Sequence, residues 1–325
     1  MVDQITMTTN NRELISRIKY NLSVADPSIV KKTRYSRYHV YNREIESDCS
    51  FLKVDFDSQN YPTCTITNSI RKWYYGKCSI DDLSRSDTYK AFSLLAQTLA
   101  IDLEELKTFA VSKIEVGLNF YSKYDNTLIK SLATKYISAA YKMRDCEGSR
   151  TFSRSKVAHS LIIYNKVLEI KRGINLIKDD AEEKFCKETM NANITRIEVI
   201  FNDSNAKTKY NCNIKNVKDI IDHYCRLTVC FAKAINRLEF KDTLAPNFTP
   251  QKGSVKELTD YLYAYAIEDL GEVLIRDYIA KLPKCKHGDA RKAILKRIRS
   301  NVKSSIEKDY LLKVIRDRNR ELIAG

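Results

Sequence analysis

Two neighbouring segments of the sequence decide the fold: HSLIIYNKVLEIKRG at residues 159–173 and NITRIEVIF at residues 193–201. Side chains along a β-strand point alternately to its two faces. In the first segment this period puts the apolar residues on one face and Tyr164 and Lys166 on the other. The second segment alternates in the same way, with Arg196 and Glu198 on its polar face. Both segments therefore predict strands with one apolar and one polar face.

A third segment upstream, SKIEVGLNF at residues 112–120, has the same pattern, with Lys113 and Glu115 on its polar face. Three such strands packed side by side would display a phenol, carboxylates and cations on one open surface. These groups suit the cleavage of a phosphodiester. They are equally typical of the polar face of any half-buried sheet, so alternation alone leaves both interpretations open.

The composition indicates a polyanionic partner. The chain has 325 residues, with 56 Lys and Arg against 41 Asp and Glu, and a net charge of +15. Such an excess favours nucleic acid over a membrane surface. The nine scattered cysteines form no CxxC pair, which is typical of reduced thiols in a cytosol. Neither a signal peptide nor an apolar run of membrane-spanning length is visible, so we expect an intracellular protein without a membrane partner.

The first 205 residues predict an α+β domain. Residues 51–57 and 63–68 alternate and predict a hairpin, and helical spacing predicts helices from Ser86 or Asp87 to Leu99 and from Asn126 to Lys142. Residues 15–30 are largely polar and predict no element. RYSRYHVY at residues 34–41 mixes cations with aromatic rings, as in surfaces that stack on bases, although a basic edge strand has the same composition. The basic segment 144–156 predicts a loop that brings Arg154 to a substrate, or a solvated loop.

Residues 206–325 predict a helical, basic C-terminal region. The periodicity indicates helices at 214–238 and 254–280 and two more from about 289 and 305. The last 45 residues carry fourteen Lys and Arg against five Asp and Glu. A solvated basic helix face would have this composition as well. The side chains that we expect to contact a phosphate backbone here are Arg291, Lys292, Arg299 and Lys303.

The sequence lacks the motifs that are typical of several common enzyme classes. There is no GxxxxGK[ST], GxGxxG or HExxH motif, which argues against a P-loop nucleotidase, a dinucleotide enzyme and a zincin. The four histidines are isolated from one another, and no HxH pair occurs. His159 shares the parity of Leu161, so we expect it to pack in the core or at a strand edge.

Four short motifs, in order, resemble those of rolling-circle replication initiators, above all the gene II-like replication proteins of filamentous phages and their plasmid counterparts. SIRKWYYG at 69–76 resembles a Ser-x-x-Lys-aromatic-x-x-Gly segment, and IDLEELKTFAVSKIEVGLNF at 101–120 resembles an acidic strand motif with Gly117 and Asn119. IIYNKVLE at 162–169 and TRIEV at 195–199 resemble the "YxKxxE … R(I/Y)E" pattern. The resemblance covers residues 66–203. Two departures concern the chemistry: the two-histidine metal motif of many such nickases is missing, and only one tyrosine of the usual pair can be named.

The resemblance implies an HUH-like, replication-initiator-like fold, with an antiparallel sheet, helices on one face and a helical C-terminal region. It also implies nicking of one strand at a DNA origin, single-stranded or extruded as a hairpin. Tyr164 would attack the phosphodiester and keep the 5′ phosphate, and later rejoining would need no ATP because the ester conserves the bond energy. Lys166 would stabilise the developing charge, and Arg196 and Lys113 would bind phosphate. Glu115 and Glu198, with Asp55 as a weaker third candidate, would hold Mg²⁺ or Mn²⁺.

We expect DNA as the partner, with a host helicase and a homodimer as further candidates, in the cytoplasm of a bacterial host. A different class explains the charge equally well: a sequence-specific DNA- or RNA-binding protein without chemistry, in which the sheet is a scaffold. It does not explain why a tyrosine, a lysine and two glutamates share one face. A tyrosine recombinase would place its tyrosine in a mostly helical domain, which the strand context of Tyr164 argues against.

Overall fold

A computed structural model describes residues 1–34, 36–42, 50–57, 61–77, 79–138, 140–154, 159–174, 193–202, 212–244, 255–270, 302–304 and 308–325. Within these ranges the protein is an α+β structure built on a ten-stranded sheet in which every pair of neighbouring strands is antiparallel. This confirms the fold class predicted from the sequence.

The first and the last strand of the sheet in sequence lie on either side of one central strand. Its order is β2-β3-β4-β5-β1-β6-β11-β10-β9-β8. These strands are β1 (Val2–Thr9), β2 (Val30–Arg34), β3 (Arg37–Tyr41), β4 (Phe51–Asp57), β5 (Thr63–Ser69), β6 (Ala110–Tyr121), β8 (Lys142–Cys146), β9 (Ser149–Ser153), β10 (His159–Asn165) and β11 (Ile194–Phe201). The predicted hairpin is confirmed as β4 and β5, and the three segments first recognised by alternation are β6, β10 and β11.

The helices and the remaining short strands complete the fold. The helices are α1 (Arg12–Val24), α2 (Ile70–Tyr75), α3 (Arg85–Leu99), α4 (Leu103–Lys107), α5 (Asn126–Leu132), α6 (Lys166–Ile174), α7 (Val217–Asp222), α8 (Cys225–Ile235), α9 (Val255–Leu270) and α10 (Lys308–Ala324). The short strand β7 (Ala133–Tyr136) pairs with β12 (Leu238–Phe240), and β13 (Asp242–Leu244) pairs with β14 (Val302–Ser304).

One hydrophobic core lies between the apolar face of the sheet and helices packed on it. It contains Ile114 of β6 and Ile197 of β11 together with Leu95 of α3, Phe231 of α8 and Ile315 of α10. Residues from both sides of position 205 thus share this core, while the proposed division into domains 1–205 and 206–325 stays a prediction. None of the helices described is long and apolar enough to cross a membrane.

Two predicted elements in the first 205 residues are wrong. The helix predicted from Asn126 to Lys142 stops at Leu132, because the chain continues as a strand that pairs with β12. The segment predicted as a basic loop is instead the β8–β9 hairpin. Gly148 takes a φ of 75° at its turn, a conformation that glycine adopts without a steric cost. Residues 15–30, where no element was predicted, contain most of α1, which Asn11 caps by accepting from the amide of Leu14.

Two predictions in the C-terminal region are also corrected. The long helix predicted at 214–238 is two helices, because the helical backbone is interrupted at His223, where ψ is 38°. Lys303, predicted on a helix, lies in the strand β14. Arg291, Lys292 and Arg299 lie outside the described residues, as do the predicted helix starts at about 289 and 305.

Candidate active site

The register of the central strands brings the side chains predicted to share one face together. Tyr164 pairs with Arg196, and Glu198 pairs with Gly117 of β6. This face opens into a cleft of about 360 Å³ at the junction of the sheet with α2 and α6. The groups that matter chemically in its lining are Asp3, Lys72, Glu115, Tyr164, Glu169 and Glu198.

The Tyr164 hydroxyl donates a hydrogen bond of 2.8 Å to Oε1 of Glu198. Burial, followed by the Glu198 charge, raises the pKa of Tyr164 well above its ordinary value, so the phenol holds its proton in this structure. Burial also raises the pKa of Glu198, and neighbouring Asp3 adds to the effect against the opposing Arg196 charge. Burial thus strengthens proton binding by both groups, and their hydrogen bond is the contact that proton transfer between them requires.

Arg196 is fully buried and joins three carboxylates. Its Nε contacts Glu198 at 2.7 Å, one terminal nitrogen contacts Asp82 at 2.7 Å, and the other contacts Asp3 at 2.5 Å. Burial alone would raise the pKa of Asp3, but Arg71 and Arg196 hold it well below its ordinary value. The guanidinium predicted to bind phosphate is thus committed in this structure to holding acidic side chains in place.

Gly117 and Asn119 explain why the β6 motif contains these residue types. A Cβ atom at position 117 would lie 2.5 Å from a terminal nitrogen of Arg196 and 2.9 Å from Cγ of Glu198. Only glycine leaves room for the guanidinium across this strand. Two residues on, the backbone N–H of Asn119 donates to Oδ2 of Asp82 at 2.7 Å, and its side-chain amide donates to the Ile80 carbonyl at 2.6 Å. The side chain thus fixes the segment that carries Asp82 on the far side of Arg196.

Lys166 is not on the strand that carries Tyr164, because β10 ends at Asn165 and Lys166 begins α6. The predicted shared face is therefore wrong for this residue. The helical turn brings Glu169 back towards the cleft, where it forms ion pairs with Lys166 and, at 2.5 Å, with Lys72. Burial would raise the pKa of Glu169, but these two lysines lower it to about 2. Burial, followed by the Arg71 charge, lowers the pKa of the fully buried Lys166 to about 8.

Lys72 lines this site, although the sequence motifs predicted no role for it. It belongs to the SIRKWYYG segment, where Ser69 caps α2 by accepting from the Lys72 amide at 3.0 Å. Its side chain is 29% exposed and lines the cleft, whereas Lys166 is fully buried. The position of Lys72 in a motif that resembled the initiators was the available signal.

The two carboxylates predicted to bind a metal line the same cleft. Burial raises the pKa of Glu115 against the opposing charge of Lys113, whose Nζ is 2.8 Å away. Mg²⁺ often binds through one or two carboxylates and completes its shell with water or phosphate oxygens, so Glu115 and Glu198 fit such an ion. No group of three His, Cys, Asp or Glu side chains suited to a metal occurs among the described residues. Asp55, the third candidate, lines a different cleft and pairs with Arg37 and Lys53.

Two of the remaining residues predicted to bind nucleic acid have side chains that the structure describes. Arg154 is exposed at the end of β9, and Lys113 contacts Gln4 and Glu115 on the polar face of the sheet. Their contacts with DNA stay predictions.

A comparison with solved structures finds a similar chain. It is the rolling circle replication initiator protein from Geobacillus stearothermophilus, with 12% identity and a TM-score of 0.40 over 79% of this chain and 89% of that chain. No protein-family model matches the sequence, and no curated protein does so. At this identity and score, the likeness assigns neither a family nor a function.

Proposed function

We propose that the protein is a rolling-circle DNA replication initiator that nicks one strand of an origin with Tyr164 as the nucleophile. The observation that carries the proposal is the convergence of four separate motifs on one cleft. Lys72 comes from the first motif, Glu115 from the second, Tyr164 and Glu169 from the third, and Glu198 from the fourth. A sheet that served only as a scaffold would not need side chains from four distant segments around one partly exposed phenol.

In the proposed reaction, the Tyr164 oxygen attacks phosphorus and the bond from phosphorus to the 3′ oxygen of the neighbouring nucleotide breaks. The leaving 3′ oxygen takes the bonding electron pair and a proton from water, so that a phosphotyrosine ester and a free 3′-OH form. The phenolic proton passes to Glu198 through the hydrogen bond that already joins them. Lys72 stabilises the charge that develops on the phosphoryl oxygens. The free 3′-OH later attacks the ester, which restores the DNA strand and the tyrosine without ATP.

Arg196, Lys166 and Glu169 are positioning residues in this proposal, rather than the phosphate ligand and the catalytic lysine that the sequence predicted. Arg196 holds Glu198 towards Tyr164 while its other nitrogens hold Asp3 and Asp82. Lys166 is the buried partner that fixes Glu169, and Glu169 in turn holds Lys72 at the cleft.

Glu115 and Glu198 would hold a divalent cation, Mg²⁺ or Mn²⁺. Such an ion polarises phosphoryl oxygens and orients the scissile bond. The test is nicking by the wild-type protein after treatment with a chelator and after Mg²⁺ is restored. Unchanged nicking in the chelator would remove the cation from the proposal and leave Tyr164 as the nucleophile.

The experiment that tests the nucleophile is capture of the covalent adduct. The protein is incubated with supercoiled DNA of the replicon that encodes it and with Mg²⁺, then digested, and the DNA-linked peptide is identified by mass spectrometry. We expect a 5′-phosphotyrosine on Tyr164, and neither adduct nor nicking from Tyr164→Phe. The matched control is Tyr20→Phe, which removes the same hydroxyl from an exposed tyrosine of α1. Full nicking by Tyr164→Phe would contradict the proposal.

A non-catalytic, sequence-specific DNA- or RNA-binding protein is the second candidate. The observation in its favour is that the Tyr164 hydroxyl donates to a buried carboxylate, as a structural tyrosine would, and that burial raises the pKa of Tyr164. This candidate gives no adduct with any DNA, whereas a tyrosine recombinase would give a 3′-linked one.

A further inference from the structure

The open face of the first half of the sheet carries a line of side chains that the proposed reaction does not use. The register places Lys31 of β2 opposite His39, His39 opposite Lys53, and Lys53 opposite Thr67. The line continues through Thr6 of β1 to Lys113 of β6. We call these six residues, Lys31, His39, Lys53, Thr67, Thr6 and Lys113, the cross-strand row.

Aromatic rings lie beside the basic end of the cross-strand row. The His39 and Phe51 rings are stacked, with centroids 3.8 Å apart and planes within 12° of parallel. Lys31 lies 4.9 Å above the ring of Tyr41, which is itself 5.8 Å from Phe51. All three rings are partly exposed. Alternation along RYSRYHVY explains why His39 and Tyr41 lie on the open face, because Tyr38 and Val40 of the same strand point into the core.

The charge on this face is complementary to a phosphate backbone. Four cations, Lys31, Arg37, Lys53 and Lys113, share this face with three carboxylates, Asp55, Asp57 and Glu115. Burial, followed by the Arg37 and Lys53 charges, lowers the pKa of His39, so its ring is neutral at neutral pH and suited to stacking. Cations that follow a backbone, interleaved with rings that stack on bases, are how single strands are bound without base readout.

The row ends at the candidate active site. Lys113 contacts both Gln4 and Glu115, and both line the cleft that holds Tyr164. From β2 to β6 the row crosses five inter-strand steps of about 4.8 Å, or about 24 Å in all.

We propose that the cross-strand row and its rings bind a single DNA strand and lead it across the sheet to the cleft. The proposal rests on the proposed function in that it specifies how that cleft receives its substrate. Bases extend the His39–Phe51 stack, and the lysines contact the phosphates.

The test is fluorescence anisotropy with a labelled oligothymidylate of about 15 nucleotides, without divalent cations, on protein that carries Tyr164→Phe so that binding is read without cleavage. Removal of one stacking ring weakens single-strand binding at least about fivefold. We therefore expect His39→Ala to lower the affinity for the oligonucleotide by about this factor or more. Lys53→Gln should weaken binding and reduce the slope of log affinity against log salt by about 0.7. The matched control is Lys142→Gln on the opposite edge strand, where the side chain is exposed; it should leave both values unchanged.

Wild-type affinity and salt slope in both row variants would overturn the inference, and so would tighter binding of a duplex of the same sequence than of the single strand. The two proposals fail separately. If no DNA forms an adduct but the row variants lose binding, the nicking function fails and the single-strand site stands. If Tyr164 forms the adduct but the row variants bind normally, only the proposal that the cross-strand row binds single-stranded DNA is wrong.

Discussion

Replacing Arg196 by Gln tests whether the buried ion network holds the site together. The wild-type guanidinium is fully buried and contacts three carboxylates. In the variant, Asp3 keeps its contact with Arg71 at 3.3 Å, and Glu198 keeps the Tyr164 hydroxyl. Asp82 loses its ion-pair partner at a fully buried position, and Glu198 loses the same partner at the wall of the cleft, where its side chain is 10% exposed.

The expected loss in the free energy of unfolding is large because the carboxylate partners of Arg196 stay charged. Removing one member of a buried ion pair typically lowers the free energy of unfolding by about 3–5 kcal/mol. The difference in the free energy of unfolding between the wild type and the variant should become smaller as the pH falls from about 7 to 4.5. Without Arg196, the pKa of Glu198 rises further above its unfolded value, so the folded variant gains protons and stability as the pH falls. In the wild type, the lowered pKa of Asp3 contributes stability above its unfolded pKa, and this is lost as the pH falls.

Urea denaturation measures this effect through the fluorescence of Trp73, the single tryptophan, which is fully buried. The matched control is Arg320→Gln, which removes an exposed arginine 3.4 Å from Asp317 and should change the free energy of unfolding by less than about 1 kcal/mol. If Arg196→Gln proved as stable as Arg320→Gln at pH 7, the network would not hold the site and its proposed positioning role would be wrong.

Three further predictions concern the same cleft. Gly117→Ala forces its new methyl group against Arg196 and should lower the free energy of unfolding by about 1–3 kcal/mol; an unchanged urea midpoint would show that the guanidinium has room to move. Lys72→Ala should lower the nicking rate about 10²-fold with DNA affinity nearly unchanged, which single-turnover cleavage and anisotropy measure side by side; an equal loss of affinity would make Lys72 a binding residue only. Nicking in Mg²⁺ should slow as the pH falls and Glu198 becomes protonated, because only the ionised carboxylate accepts the Tyr164 proton and holds the cation; a pH–rate profile that keeps its acid limb in Glu198→Gln would assign that limb to another group.

The sequence was sufficient for the part of the site that lies on regular strands. A period of two fixes which side chains share a face, so the neighbourhood of Tyr164, Arg196 and Glu198 could be predicted without coordinates. The predicted position of Lys166 was wrong, because the alternation of side chains does not continue past the end of β10. Strict alternation would place Glu169 on the core side, and its place in the motif is explained because a helix begins at Lys166.

The acidic partners of Arg196 could not be predicted in the same way. Asp3 is 193 positions from Arg196 and Asp82 is 114 positions away, and no local pattern connects residues so far apart. Residues 2–9 received no element in the sequence analysis, yet β1 lies between β5 and β6 near the middle of the sheet. Whether an isolated aspartate is solvated or buried beside an arginine depends on strand order, which alternation does not contain.

The distance along the chain between Asp3 and Arg196 has a consequence for biosynthesis. Translation proceeds from the N-terminus, so the first aspartate leaves the ribosome long before its arginine partner has been made. Until β11 emerges, β6 lacks one of its two neighbours and the carboxylates near Tyr164 lack their shared cation. A nascent or truncated chain that ends before residue 196 therefore cannot assemble the ion network beside Tyr164, and the nicking activity that we propose would appear only after β11 has been synthesised.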